Sequence, residues 1–334
     1  MRRLRVLVLV HEELKPPSDP KRYHTNVDWK MEYDVIETLE RLGHEVEVIG
    51  LDQDLEALSR AVQRFRPEVL FNLLEDFGGV AVNDQHWVGH LELLGIPYTG
   101  CNPRGLLLAR DKAISKKILA YHGIAAPRFL VSRRGATKPE TEADLFPAIV
   151  KSLTFDGSVG ISQASVVTTQ RALVERVGFI HERVGTDAIV EEFIEGREFY
   201  VGLLGHDTPE SFPVWELRFK KKPATTRLIA TERVKWSDAY QKKVGVTSGR
   251  ARLREDKGAE VGELARRVYG LLELSGYGRI DFRMRRDGKV YFLEANPNPQ
   301  LAYGEDFAES AEKSGRSYEA LITRILELAF VRRG

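Results

Sequence analysis

The chain predicts an α/β fold with a parallel sheet in its first third, followed by a longer region built on strands in a different arrangement. Three observations carry that expectation. Apolar runs of strand length alternate with amphipathic helical stretches from residue 4 to "IPYTG" at residues 96–100, the pattern of a parallel sheet covered by helices. From Gly105 onward this alternation stops. Residues 276–299, "GYGRIDFRMRRDGKVYFLEANPNP", read as two strands around a tight turn.

In order, residues 4–10 form an apolar strand, and a polar loop rich in Pro and Lys follows. "WKMEYDVIETLERLG" has helical spacing and stops at Gly43. "HEVEVIGL" alternates like a strand, "LEALSRAVQRF" is helical, and "PEVLFNLLE" is a buried strand. Ligands on such sheets bind beyond the carboxyl ends of the strands, where Glu12, Glu13 and Glu75 fall. Next, "LLLARDKAISKKILAYHG" is helical, while "APRFLVS", "FPAIVKS" and "SQASVVTT" are strand-like. "AIVEEFIEGREFYVGLLG" reads as two strands joined through Glu195-Gly196. Residues 218–250 are polar and basic without a period, a candidate long loop or lid. "YEALITRILELAFV" closes the chain as a helix.

A length of 334 residues suits two or three domains, and 43% hydrophobic with 30% charged residues is ordinary for a soluble globular protein. A net charge of +1 argues against nucleic-acid or anionic-membrane partners. The single cysteine, Cys101, excludes an internal disulfide and fits a cytoplasmic location. Apolar runs such as "VLVLV" are far shorter than a bilayer span, and "MRRLRVLVLV" reads as a first strand with no cleavage-like site.

Asp287-Gly288 is a two-residue hairpin signal. Counting outward from it puts Arg286 against Lys289, Asp281 against Glu294, and Arg279 against Asn296. These last four share one face, while Ile280, Phe282, Leu293 and Ala295 take the other. Directly opposed carboxylates repel, so a cation between them is expected. Two carboxylates and an amide oxygen suit Mg²⁺. The simpler alternative is a charged face on which Arg279 and Arg283 neutralise Asp281 and Glu294. Asn296 and the "PNP" that follows favour metal.

Other signals are weak one by one. "VKSLTFDGSVGIS" sets Lys151 at a strand end before Gly157 and Gly160. Glycines let backbone N–H groups approach an anion, but a plain turn also fits. Lys112 and Lys116 share a helix face, usually a solvated one. His86 and His90 have zinc-compatible spacing without an obvious third ligand, and Cys101 reads as a structural thiol. Lys220, Lys221 and Lys222 form a charge run, ordinarily a wet loop.

Taken in order, "RDKAISKKILAYHGIAAPRF", "PAIVKSLTFDGSVGIS", "IVEEFIEGREFYVG" and the hairpin resemble the ATP-grasp superfamily, specifically D-alanine–D-alanine ligases and their relatives. The likeness covers most of the chain from about Phe71. It implies an ATP-grasp fold of α/β and α+β class: an N-terminal parallel domain (1–103) and two lobes (104–188 and 189–334) that sandwich ATP. By resemblance, Lys112 and Lys151 contact the nucleotide, and Gly157, Ser158, Val159 and Gly160 form the phosphate-covering loop. Glu191, Glu192, Phe193 and Ile194 meet adenine, and Glu198 meets ribose. Asp281, Glu294 and Asn296 match ligands for two Mg²⁺ ions (Mn²⁺ is an alternative), and Arg279 and Ser158 match residues at the reaction centre. The implied reaction joins a small carboxylate to an amine through an acyl phosphate, and the family is often dimeric.

The substrate side departs from the family pattern. Glu75 stands where a histidine is expected, Gly157 where a serine is, and Lys235-Trp236 where a Lys-Tyr pair is. Residues 299–302 read "PQLA", and Glu305, beside Gly304, replaces a serine. The added acids suggest a cationic amine or basic amino acid. The functional expectation is therefore an ATP- and Mg²⁺-dependent carboxylate–amine ligase. A true D-alanine–D-alanine ligase, a small-molecule phosphotransferase and a non-catalytic ATP-binding module are the alternatives.

Overall fold

The structure is a computed structural model and describes all residues except 1, 18, 20–22, 24–26, 137–142, 221–228, 230, 232–243 and 332–334. Strands β1 (Arg5–His11), β2 (Glu45–Leu51) and β3 (Val69–Asn72) make a parallel sheet in the order β2-β1-β3, which Tyr98 extends by a bridge to Leu70. Helices α1 (Lys30–Arg41), α2 (Leu55–Phe65) and α3 (Asp84–Leu93) connect it. The apolar run of β1 is explained by burial on both sides. Val6, Val8 and Val10 join one core with α1 residues Val35 and Leu39, whereas Leu7 and Leu9 join another with Leu58 of α2.

The helical stretch after Gly105 is two helices, α4 (Pro103–Arg110) and α5 (Lys112–Tyr121). Asp111 divides them: its backbone is extended, and its carboxylate accepts from the N–H groups of Ala113 (2.8 Å) and Ile114 (2.9 Å). That is an N-cap, which starts a new helix.

A four-stranded antiparallel sheet follows, of β4 (Phe129–Ser132), β5 (Ala148–Ser152), β6 (Val166–Val167) and β7 (Ala188–Glu192), in the order β4-β7-β5-β6. Ala148 and Val150 pack with Leu173 and Val177 of α6 (Gln170–Phe179), a helix absent from the sequence-based expectation. By alternation Ile149 and Lys151 take the opposite face.

The third sheet is antiparallel: β8 (Arg197–Leu204), β9 (Glu210–Ser211), β10 (Trp215–Phe219), β11 (Val246–Arg250), β12 (Tyr277–Met284) and β13 (Val290–Pro297), in the order β11-β10-β8-β12-β13 with β9 beside β8. Strands β7 and β8 are consecutive, yet they lie in different sheets, so Phe193–Gly196 is a crossing between sheets. A Cβ at Gly196 would sit 2.0 Å from the Met284 carbonyl oxygen, which demands glycine at this close passage. The stretch 218–250, expected to be loop, carries strand at both ends, and β10 pairs with β11. Helices α7 (Glu255–Leu271) and α8 (Asp306–Lys313) are further additions to the expected elements, although Val261, Ala265, Val268 and Tyr269 of α7 have helical spacing. Helix α9 (Tyr318–Leu328) packs its Leu321, Ile322 and Ile325 into the core that holds Val35 and Leu39.

The β12–β13 hairpin reaches the expected pairing of Asp281 with Glu294 and Arg279 with Asn296 by a different route. Its turn is longer than Asp287-Gly288, because the Gly288 N–H bonds to Arg285 O (3.0 Å) and the Arg285 N–H to Lys289 O (3.0 Å). Gly288 has φ +85°, while Asp287 is not left-handed, which excludes a type I′ turn. Near the turn the pairs are therefore Met284–Val290 and Phe282–Phe292, and a bulge restores the register at Asp281. The bulge leaves Leu293 without a partner across the ladder. Leu293 consequently departs from the core face that simple alternation predicts for it, whereas Ile280, Phe282 and Ala295 stay in that core.

Candidate active site

Between the four-stranded sheet and the hairpin sheet lies a pocket that is partly open to solvent. Strand β5 supplies Ile149 and Lys151, β7 and the crossing supply Glu191, Glu192, Phe193 and Ile194, β8 supplies Glu198, and the hairpin supplies Asp281, Arg283, Leu293 and Glu294. Ser158 and Ile161 come from the glycine-containing loop, and Pro127 and Ile229 complete the wall. One side is apolar: Ile149, Phe193 and Ile229 form a buried cluster, with Ile161 against it. An apolar wall beside clustered charges, two of them buried lysines, suits a ligand with an apolar part and an anionic part.

The charges at one end are fully buried. Glu191 is 2.9 Å from Lys116 Nζ and 2.8 Å from Lys151 Nζ. Burial opposes its ionisation, but the two ammonium groups outweigh that and hold the carboxyl at about 2. Lys116 also donates to the Leu293 carbonyl, the residue displaced by the bulge. Lys112 and Lys116 thus correct the solvated-face reading: they are 2% and 0% exposed. Lys112 bonds to Phe155 O (2.8 Å) and to the Asp156 carboxylate (3.1 Å), with Glu294 at 3.7 Å. Although burial disfavours its charge, Asp156 and Glu294 keep its pKa above the usual lysine value.

On the hairpin face, Arg279 grips Asp281 through two hydrogen bonds of 2.8 and 2.9 Å and lies over the Tyr200 ring, 4.7 Å from its centroid. Burial works against the guanidinium, yet Asp281 raises its pKa further. Arg283 does not neutralise Glu294. It pairs with Glu198 (2.5 Å), donates to Ile194 O (3.2 Å) and lies over Phe193. Among the described residues, Arg279 pairs with Asp281, and Lys112 lies 3.7 Å from Glu294. Asn296 is buried, and its Nδ2 has no hydrogen-bond partner among the described residues. An amide turned the other way would present oxygen there, so with Asp281 and Glu294 the donor set fits a hard divalent cation. Asn298 of "PNP" does a structural job, accepting the Cys101 N–H at 2.7 Å.

The loop after β5 is left-handed at Gly157 (φ +68°), Ser158 (φ +63°) and Gly160 (φ +70°). For a non-glycine residue such as Ser158 this conformation is strained and is typically found at functional sites. Ser158 is buried in the pocket wall, whereas Val159 is exposed.

The substrate-side candidates are more dispersed. Glu12 folds over Gly50 of β2, Glu13 is exposed, and neither lines the pocket. Glu75 is solvent-accessible but set into the protein. That setting, with Asp156, Asp76 and Asp84 acting against Arg110, pushes its carboxyl up to about 7. Glu305 and the left-handed Gly304 are exposed just before α8. The Glu305 pKa is raised by desolvation and by Asp306, against Lys30. Lys235 and Trp236, like Lys221 and Lys222, lie outside the described residues. Among the described residues no group of three or more His, Cys, Asp and Glu is placed to hold a metal, so His86 and His90 gain no third ligand.

Arg283 and Ile149 join the pocket without a motif that marks them, although each sits two residues from a motif position. Leu293, Pro127 and Ile229 have no local signal.

A family model described as "D-ala D-ala ligase C-terminus" matches residues 117–327. Protein y4sG of Sinorhizobium fredii, whose name records it as uncharacterized, is 31% identical over 88% of this chain and 86% of its own length. A D-alanine–D-alanine ligase of Aquifex aeolicus is 29% identical over 87% of this chain and 92% of its own. Among solved structures, the D-alanine–D-alanine ligase of Bacillus anthracis complexed with ATP superposes with a TM-score of 0.76 at 23% identity, covering 98% of each chain.

Proposed function

The chain belongs to the D-alanine–D-alanine ligase C-terminal family, ATP-dependent carbon–nitrogen ligases of ATP-grasp fold, and we propose that it joins a small carboxylate to a cationic amine. The observation that supports this reading best is the meeting, in one pocket, of Lys151, Glu198, Asp281 and Glu294 beside an apolar wall. Those groups come from both sheets. The ATP seen in the Bacillus anthracis ligase gives the pocket its proposed occupant.

In this proposal adenine lies against Ile149, Phe193 and Ile194, and the ribose hydroxyls meet Glu198, which Arg283 holds in place. Lys112 and Lys151 face the phosphates, and Gly157–Gly160 close over them. Asp281, Glu294 and Asn296 would hold one or two Mg²⁺ ions, whose chemistry is to neutralise phosphoryl charge. The substrate carboxylate attacks the γ-phosphorus, releasing ADP and leaving an acyl phosphate. The amine then attacks the acyl carbon, phosphate departs with the bonding electrons, and the amine loses a proton to give the amide. Arg279, preorganised by Asp281 and Tyr200, stabilises the oxyanion that develops at the acyl carbon. The closed loop keeps water from the acyl phosphate.

Glu75 and Glu305, both acidic, favour a cationic amine over D-alanine. A matrix of carboxylates against amines, scored by phosphate release and product mass, tests this reading. The expected products are an amide and phosphate, with basic amines the best acceptors. A stable phosphorylated product would make the protein a phosphotransferase, and turnover with D-alanine alone would make it a D-alanine–D-alanine ligase.

A further inference from the structure

Arg110 is the last residue of α4 and is buried. Its guanidinium joins segments that are distant in sequence. Nη1 binds the Asp156 carboxylate at 2.6 Å, while Nη2 binds the Asp84 carboxylate and donates to the Glu75 carbonyl oxygen at 3.2 Å. Asp84 opens α3 and is itself buried. Asp156 stands directly before Gly157, at the start of the loop proposed to cover the phosphates. One side chain therefore ties the segment after β3, which carries Glu75, to the phosphate loop.

The break at Asp111 gives this corner a second cation. Because α5 starts afresh at Lys112, that ammonium reaches the same carboxylate: Asp156 accepts from Lys112 Nζ at 3.1 Å through Oδ1, and Arg110 holds Oδ2. Lys112 also lies 3.7 Å from Glu294. The far end of the loop is fastened as well, since Arg176 donates to the Gly160 carbonyl. Between these anchors Gly157 and Ser158 are left-handed, and Ser158 enters the pocket wall. Apolar residues of similar volume commonly stabilise a fold as well as a buried ion network does, so stability alone does not call for Arg110. What a guanidinium adds is a rigid fork, whose separate nitrogens hold several acceptors at a fixed spacing. An ammonium is a single point of charge and lacks that geometry.

We propose that Arg110 is a positioning residue: by clamping Asp156 to the Glu75–Asp84 segment, it fixes the base of the phosphate loop and leaves Lys112 to face the triphosphate. Without the clamp, Asp156 falls to Lys112 alone and neutralises the charge meant for phosphate. This rests on the nucleotide reading and adds to it a residue that does not line the pocket.

The test uses the full chain as wild type, Arg110→Lys and Arg110→Met. Hydrogen exchange without nucleotide reads the loop. Amides of residues 156–160 should exchange about tenfold faster in both variants, while those of β12 keep their wild-type protection. Affinity for the unhydrolysable analogue AMP-PNP with Mg²⁺ should fall about tenfold, the loss of one charge-assisted bond, and affinity for adenosine, which has no phosphates, should not change. A role in stability alone would move both ligands together or neither. If Arg110→Met fails to fold, Arg110→Lys and Asp156→Asn read the loop. Full rescue by lysine, or loop exchange equal to wild type in every variant, overturns the clamp, even where wild-type binding of AMP-PNP upholds the nucleotide reading. Faster loop exchange in the variants of a protein that binds no AMP-PNP upholds the clamp and overturns the nucleotide reading.

Discussion

Lys151 Nζ lies 2.8 Å from the Glu191 carboxylate, in a pocket corner where Glu191 is 0% exposed. A second ammonium, from Lys116, reaches the same carboxylate at 2.9 Å. One buried acid therefore holds two lysines, one from a helix and one from a strand. Removing one partner of a buried ion pair costs more than the pair contributes, because the remaining charge stays buried.

Glu191→Gln should thus destabilise the fold by about 3–5 kcal/mol at neutral pH, measured by urea denaturation. The Glu191 pKa is lowered from 4.5 to about 2, so its contribution is present above 4.5 and lost as pH falls through 2. The gap between wild type and variant should narrow over that interval. A variant as stable as wild type at pH 7 would remove Glu191 from this role.

Glu294→Gln keeps the size of the side chain and removes the negative charge opposite Asp281. We expect ATP turnover to fall below detection while the circular dichroism spectrum stays unchanged. Phosphate release close to that of wild type would exclude Glu294 as a metal ligand.

Arg283 holds Glu198 and Ile194 O and lies over Phe193. Arg283→Leu should therefore loosen the proposed nucleotide wall, raising the KM for ATP roughly tenfold, the equivalent of one hydrogen-bonded charge. Preference among amines should not change. A shift in amine preference at constant ATP KM would place Arg283 in the acceptor site instead.

Burial pushes the Glu32 carboxyl up from 4.5 to about 8, with Glu75 and Asp34 adding to the rise. For a raised carboxyl, the unfolded chain ionises first, so wild-type stability falls between those two pH values. Glu32→Gln does not titrate. The two proteins should match in stability near pH 4. Above pH 8 the variant should exceed wild type by a few kcal/mol, since each tenfold difference in acidity between folded and unfolded chain is worth about 1.4 kcal/mol. Parallel stability profiles in denaturant across that range would contradict a raised Glu32.

The parts of the site legible in the sequence are those set by local periodicity. Strand alternation alone puts Asp281, Arg279, Glu294 and Asn296 on one face, because successive side chains point to opposite sides whatever the strand packs against. The order of the blocks around Lys112, Lys151, Glu191 and Glu294 likewise needs no coordinates. Pairing between distant segments is not legible. The longer turn and the bulge at Leu293 compensate each other, so the right register follows from the wrong turn. Burial turns Lys116 from a surface charge into a counter-ion, and packing gives Arg283 to Glu198 rather than to Glu294. The isolation of Glu32 is also a property of the assembled chain, since a lone glutamate on a helix gives no sign that Lys30 is already engaged with Asp34. Periodicity follows from backbone geometry, which each residue carries in its own sequence. The partner of a charge depends on which segments, often a hundred residues apart, share the same low-dielectric space.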